Sequence, residues 1–269
     1  MWRIGDWSGT CGLESFFAIE KSSDAFMTYK HNLIKCADDW VWPSWLQKDS
    51  NDINIVLREN KEDLEKLRGT VDLVAGGPPC QGFSMAGKRD SEDLRNKLVR
   101  SYIRFIRIVQ PRVILFENVH GIMVRLAAER RKGKTLIYSQ YIERSLRQMG
   151  YAVAYRIIDM SEFGIPQKRK RFILVAIKDG IVSPDSVFTS LESNASSFCA
   201  QKGIKRSTTV KEAINDLLYS SGHINSPDTR GFESGIYGKA TCWALRPGWL
   251  APGPDARACW HLQHGLPSA

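Results

Sequence analysis

A chain of 269 residues with 43% hydrophobic and 25% charged residues has the length and composition of one large globular domain or two small ones. No apolar run reaches the ~18 residues of a membrane span, and the opening MWRIGDWSGT lacks the pattern of a secretion signal. The formal charge of +9 leaves two readings open, a solvated basic surface or a polyanionic partner, and the clusters RLAAERRKGK (125–134) and QKRKR (167–171) favour nucleic acid.

In chain order, the first feature is a glycine-bearing stretch, Asp6 to Leu13, with Gly9 and Gly12 in a G-x-x-G spacing. It is either a ligand-binding turn or an unstructured N-terminus. VDLVAG (71–76) is a short apolar run closed by glycines and predicts a strand. RSYIRFIRIVQ (100–110) carries apolar residues at helical spacing and is closed by Pro111. PRVILFENV (111–119) predicts a second strand, and TLIYSQYIERSLRQM (135–149) a second helix, stopped by Gly150. YAVAYRIIDM (151–160) and RFILVAI (171–177) are rich in β-branched and aromatic residues and predict two further strands. From Trp243 the text has no sustained period, is studded with Pro and Gly, and reads as loop or as sequence that never packs.

Alternating strands and helices predict an α/β sheet covered on both faces, with its chemistry at the carboxyl ends of the strands. Three polar groups come into view: Cys80 follows the first of these strands, the pair Glu117 and Asn118 ends the second, and the run Gln167 to Arg171 leads into the strand 171–177. The six cysteines, at 11, 36, 80, 199, 242 and 259, form no C-x-x-C pair. They read as free thiols of a reducing compartment, and Cys259, His261 and His264 fit no zinc spacing, so no metal is expected. Cys80 differs from the others in its setting. Gly76 and Gly77 allow a tight turn and close approach, while Pro78 and Pro79 fix φ and lower the entropy of the loop. A stiff loop suits a nucleophile held at a set distance from its target.

GGPPCQGFS followed by AGKR (76–89), ENV (117–119) and FGIPQKRKRF (163–172) together resemble, in order and spacing, the signatures of the DNA cytosine-5 methyltransferase family of bacterial type. The resemblance runs from about Asp52 to Ala176 and implies a Rossmann-like S-adenosylmethionine-dependent methyltransferase sheet, incomplete in this chain. It implies Cys80 as the nucleophile that attacks C6 of cytosine and Glu117 as the group at N3. Arg169 and Arg171 would hold the base and a neighbouring phosphate. As plain residues, Glu117 reads alternatively as a strand-end surface carboxylate, and the two arginines as a basic patch. The partner implied is double-stranded DNA with a flipped cytosine. Gln81-Gly82-Phe83-Ser84 is similar to the DNA branch of the family, with an RNA cytosine methyltransferase as the third alternative. A cytoplasmic, nucleoid-associated place in a bacterial restriction-modification system is implied with it.

The resemblance also assigns S-adenosyl-L-methionine contacts: Gly9 and Gly12 in the loop, Glu20 for the ribose, Asp52 and Ile53 for adenine, Pro79 beside the sulfonium and Leu98 as a wall residue. Asp52 reads alternatively as a plain turn aspartate. A nucleotide-binding βαβ unit places its carboxylate roughly 20 residues after the glycine turn. The span from Gly12 to Glu20 has room for at most two helical turns and none for a strand, so the first crossover helix is expected to be missing. The expected organisation is a catalytic domain over 1–178 and the start of a target-recognition region over 179–269. KRSTTVKEAINDL (205–217) resembles the segment that follows the family's core, and no later family signature is legible. Three readings follow: an active methyltransferase, whose recognition region could come from a second subunit; an inactive, truncated member; and the RNA enzyme.

Overall fold

The computed structural model describes residues 2–4, 13–31, 42–79, 94–123, 137–178, 180, 182–201, 203–214, 223–225, 231 and 233–235. Gly9, Gly12, Cys80, the cluster 125–134 and the tail from Trp243 lie outside the described residues. The chain divides into two compact units, Met1–Ile158 with Arg171–Phe188, and Asp159–Lys170 with Thr189–Ala269. The segment 159–170 therefore groups with the C-terminal residues, where the sequence suggests a single boundary at 178.

The first unit holds a mixed six-stranded sheet in the order β2-β1-β3-β4-β6-β5. Its strands are β1 (Trp2–Ile4), β2 (Leu13–Ser15), β3 (Leu73–Gly76), β4 (Val113–Val119), β5 (Ala152–Asp159) and β6 (Lys170–Ile177). β3 and β4 are parallel, with Gly76 opposite Phe116. The helix between them, α4 (Leu94–Val109), follows α1 (Ser23–Tyr29), α2 (Ile53–Glu59) and α3 (Lys61–Lys66) in the chain. Val99, Tyr102, Ile103, Ile106 and Val109 recur at the three- and four-residue spacing of one helical face and are all buried. Alternation along β4 places Ile114, Phe116 and Asn118 on a buried face, and Ile114 and Phe116 meet the helical set in one core cluster with Val74, Phe172 and Leu174. Each such aliphatic side chain contributes about 1.5–3 kcal/mol on burial. α4 ends where Gln110 takes φ 45° ahead of Pro111, which cannot continue a helix. α5 (Tyr138–Gln148) adds Tyr138, Ile142 and Leu146 to the same cluster, and Gly150 closes it at φ 87°.

Two expectations are corrected. The sheet is not covered on both faces among the described residues: Ala75 is exposed and Leu115 is 38% exposed, although both lie in central strands. On that face Phe188 packs against Ala154, Val175 and Ile177, at the β5–β6 side. The span after Gly12 does contain a strand, β2, which pairs antiparallel with β1, and no helix lies between it and Ser22. Extended backbone covers about twice the distance per residue that a helix covers, so a short span still carries Glu20 across to Asn51. There Asn51 N donates to Glu20 O at 2.7 Å.

In the second unit, Asp159 organises the segment before β6. Its Oδ1 accepts from Ser161 N (3.1 Å), Ser161 Oγ (2.8 Å) and Arg169 N (3.3 Å). These bonds, led by that from the Ser161 hydroxyl, hold its carboxyl below the usual range. Gly164, at φ 85°, donates through its N to Arg206 O at 2.8 Å, and a Cβ there would stand 2.8 Å from Ile204 Cδ1. Of α6 (Pro184–Gln201), the residues from Thr189 on belong to this unit; α7 (Val210–Ile214) follows, and β7 (His223–Asn225) pairs with β8 (Glu233–Gly235). Cys199 is a buried free thiol.

Candidate active site

Antiparallel pairing of β4 with β6 sets Val119 opposite Arg171 and Glu117 opposite Ile173. Glu117 and Arg171 are therefore diagonal neighbours on one face of the sheet, within reach of long side chains. Arg171 Nε lies 2.8 Å from Glu117 Oε1; the arginine side chain is 15% exposed and the carboxylate 47%. The arginine is the half-buried anchor and the carboxylate the more accessible end of the pair.

The other oxygen of Glu117 faces the end of β3. A Cβ placed on Gly77 would stand 3.1 Å from Glu117 Oε2, so a glycine lets backbone and carboxylate share this space. One residue earlier the ring of Tyr102 occupies the place of a Gly76 side chain. The Tyr102 hydroxyl is buried with no partner among the described residues, and burial pushes its pKa far above the usual tyrosine range. One residue later Asn118 Nδ2 donates to Pro78 O at 3.0 Å. Gly76, Gly77 and Pro78 are thus each placed by a neighbouring side chain, directly before Pro79 and Cys80.

Arg169 is exposed in the second unit, and among the described residues only its backbone is held, by Asp159 Oδ1 and by Met160 N, which donates to Arg169 O at 3.0 Å.

The expected cofactor residues divide in a similar way. Glu20 and Asp52 come together: Glu20 shares the backbone bond with Asn51, and Lys21 Nζ reaches Asp52 Oδ2 at 3.0 Å. Asp52 also caps α2, accepting from Asn54 N at 2.8 Å. That bond first, and Lys21 second, lower its pKa. Ile53 opens α2 and packs against the core. Ser101 Oγ donates to Asn54 Oδ1 at 2.6 Å, joining α2 to α4, which also carries the half-buried Leu98. Pro79 is exposed. An adenosine offers ribose hydroxyls and an amino group as donors, and this set offers carboxylate acceptors. Glu20 Oε1 accepts from Ser22 N at 2.8 Å, while Oε2 has no partner among the described residues. The donor chemistry fits the nucleoside.

Sequence reasoning did not single out Tyr102, Lys21 or Asn54, and it gave Asn118 no role of its own beyond a strand end and a place in ENV. Asn118 had a signal, its place in ENV; the others act through contacts distant in sequence.

The fold and these placements define a mixed α/β protein with polar groups gathered where the carboxyl ends of β3 and β4 meet the amino end of the antiparallel β6. The chain belongs to the C-5 cytosine-specific DNA methylase family, whose model matches residues 8–243. It is 33% identical over 158 residues to Type II methyltransferase M.XorII of Xanthomonas oryzae pv. oryzae, covering 58% of this chain and 33% of that protein. To Type II methyltransferase M.AgeI of Thalassovita gelatinovora it is 29% identical over 223 residues, 80% of this chain and 48% of that one. The crystal structure of S. pombe Dnmt2 methyltransferase aligns with a TM-score of 0.44 at 22% identity, over 65% of this chain and 46% of that chain. The chain thus spans between a third and a half of the length of these relatives. No helix among the described residues is long and apolar enough to cross a membrane.

Proposed function

We propose that the chain is a DNA (cytosine-5)-methyltransferase that transfers a methyl group from S-adenosylmethionine to C5 of cytosine in DNA. The observation that carries the reading is the Glu117–Arg171 pair lying against Gly77, three residues before Cys80. C5 of cytosine is a weak nucleophile and needs activation. In the proposed mechanism the Cys80 thiolate adds to C6, and the displaced π electrons move through the ring toward C5 and N3. Glu117 hydrogen-bonds to N3 and passes it a proton, which limits charge accumulation on the ring. Arg171 holds the Glu117 carboxylate in place, and Arg169 meets the phosphate beside the target base. S-adenosylmethionine, when bound, supplies an electrophilic methyl group; Glu20, Asp52 and Ile53 would hold its adenosine, with Gly9, Gly12, Pro79 and Leu98 around the rest. Loss of the C5 proton to a base then drives out the thiolate and restores the C5–C6 double bond. The base must leave the helix stack for C6 to be reached.

Incubation of the full chain with labelled S-adenosylmethionine and duplex DNA, with tRNA as the competing acceptor, tests the reading. Methyl groups are expected on DNA cytosine, with a covalent adduct trapped on 5-fluorocytosine DNA. Cys80→Ala is expected to abolish both while leaving DNA binding nearly unchanged. Equal activity in that variant would end the covalent mechanism, and transfer to tRNA alone would move the chain to the RNA branch.

A further inference from the structure

Asn118 is 4% exposed, and both ends of its amide are committed. Oδ1 accepts from Val119 N at 2.9 Å, which fixes the orientation of the amide and aims Nδ2 at Pro78 O, 3.0 Å away. Pro78 and Pro79 have no N–H of their own, so two successive positions of this loop offer no backbone donor for pinning it. Among the described residues the Pro78 carbonyl is held by Asn118 alone. Because proline fixes φ, orienting one carbonyl orients the dipeptide that leads into Cys80. Glu117, the adjacent residue, points to the other face of the strand and touches Gly77. One strand end thus addresses the loop from two sides, with a carboxylate and with an amide.

We propose that Asn118 is a positioning residue: its amide donor fixes the Pro78 carbonyl and, through the rigid Pro78–Pro79 dipeptide, the distance at which Cys80 meets the base. The role rests on the methyltransferase reading. It depends on a proton at Nδ2. Aspartate has the same shape, but its ionised form aims a lone pair at the Pro78 oxygen; protonated aspartic acid has a donor again.

The test is covalent trapping of the full chain on 5-fluorocytosine duplex DNA with S-adenosylmethionine. The parent, Asn118→Asp and Asn118→Ala are compared across mildly alkaline to mildly acidic pH. Cofactor affinity is followed by calorimetry. Asn118→Asp is expected to trap about tenfold or more slowly than the parent at alkaline pH, as loose positioning of a reacting group commonly costs. Its rate relative to the parent climbs as pH falls, while that of Asn118→Ala stays low and flat. Cofactor affinity stays within about twofold in both variants, the separation of chemistry from binding that a positioning role requires. If Asn118→Asp does not fold, Asn118→Ala with slowed trapping and retained affinity supports the role. Trapping at the parental rate in both variants overturns it. A deficit in Asn118→Asp that ignores pH, or affinity lost in step with trapping, overturns it as well. A parent that fails to trap overturns the methyltransferase reading itself, and the role with it.

Discussion

At Gly76 a single absent methyl group lets the loop leave β3 where it does. A Cβ there would stand 2.3 Å from Tyr102 Cε2 and 3.1 Å from Cζ. The ring cannot swing aside freely, since it is buried and packs on Phe116 with 5.4 Å between centroids. Gly76→Ala must therefore displace either the ring or the strand, and overpacking of this kind costs about 1–3 kcal/mol. Urea denaturation is expected to show that loss in the parent background and little of it in Tyr102→Ala, because the two sites share one contact. Equal penalties in both backgrounds would mean that the backbone, not the ring, resists the methyl group. Such reasons are illegible in a sequence. Cys80, Glu117 and Arg171 stand out by residue type within a motif, and β4 and β6 place the last two together. Gly76 and Asn118 stand in the same motifs, but the ring and the carbonyl that explain them belong to other elements.

Elements with a strong period were legible. α4 and α5 follow apolar spacing, and β3 to β6 follow short apolar runs, because each buries one face against the same core. α2 and α3 were missed: between them they bury only Val56, Leu57 and Leu64, too few to make a period. α6 was missed for the same reason, with Phe188, Ala195 and Cys199 widely spaced on eighteen residues. α7 is marked instead by its cap. Thr209 Oγ1 accepts from Glu212 N at 3.2 Å while Glu212 Oε2 accepts from Thr209 N at 2.9 Å, a reciprocal capping box. Lys205 pairs with the same carboxylate, and this bond first, then those from Thr209, lowers its pKa from 4.5 to about 2. A carboxyl group depressed in the folded state adds stability above its unfolded pKa and loses it as pH falls toward the folded value. Glu212→Gln should therefore melt below the parent at neutral pH. The gap should narrow from about pH 4.5 downward and close near pH 2. A gap independent of pH would show that the amide fails for a reason other than charge.

The formal charge of +9 arises from 38 basic against 29 acidic residues, and it acquires meaning only through placement. In the loop that carries the Q-x-R-x-R signature, Lys168 and Arg169 are exposed, and their side chains have no partner among the described residues. The backbone beneath them is held by Asp159. Cations left unpaired on an ordered loop suit a phosphate backbone, and each phosphate neutralised releases counterions. The logarithm of duplex affinity then falls with the logarithm of salt by about 0.9 per contact. Lys168→Ala should lower the magnitude of that slope by about one and weaken binding to unrelated duplexes alike, measured by anisotropy across a salt series. An unchanged slope would take this loop off the DNA-facing surface, even if methylation persisted. A slope reduced only on one duplex sequence would instead make Lys168 a reader of bases. Bases are read by individual side chains in a groove, and no periodicity or composition encodes that choice.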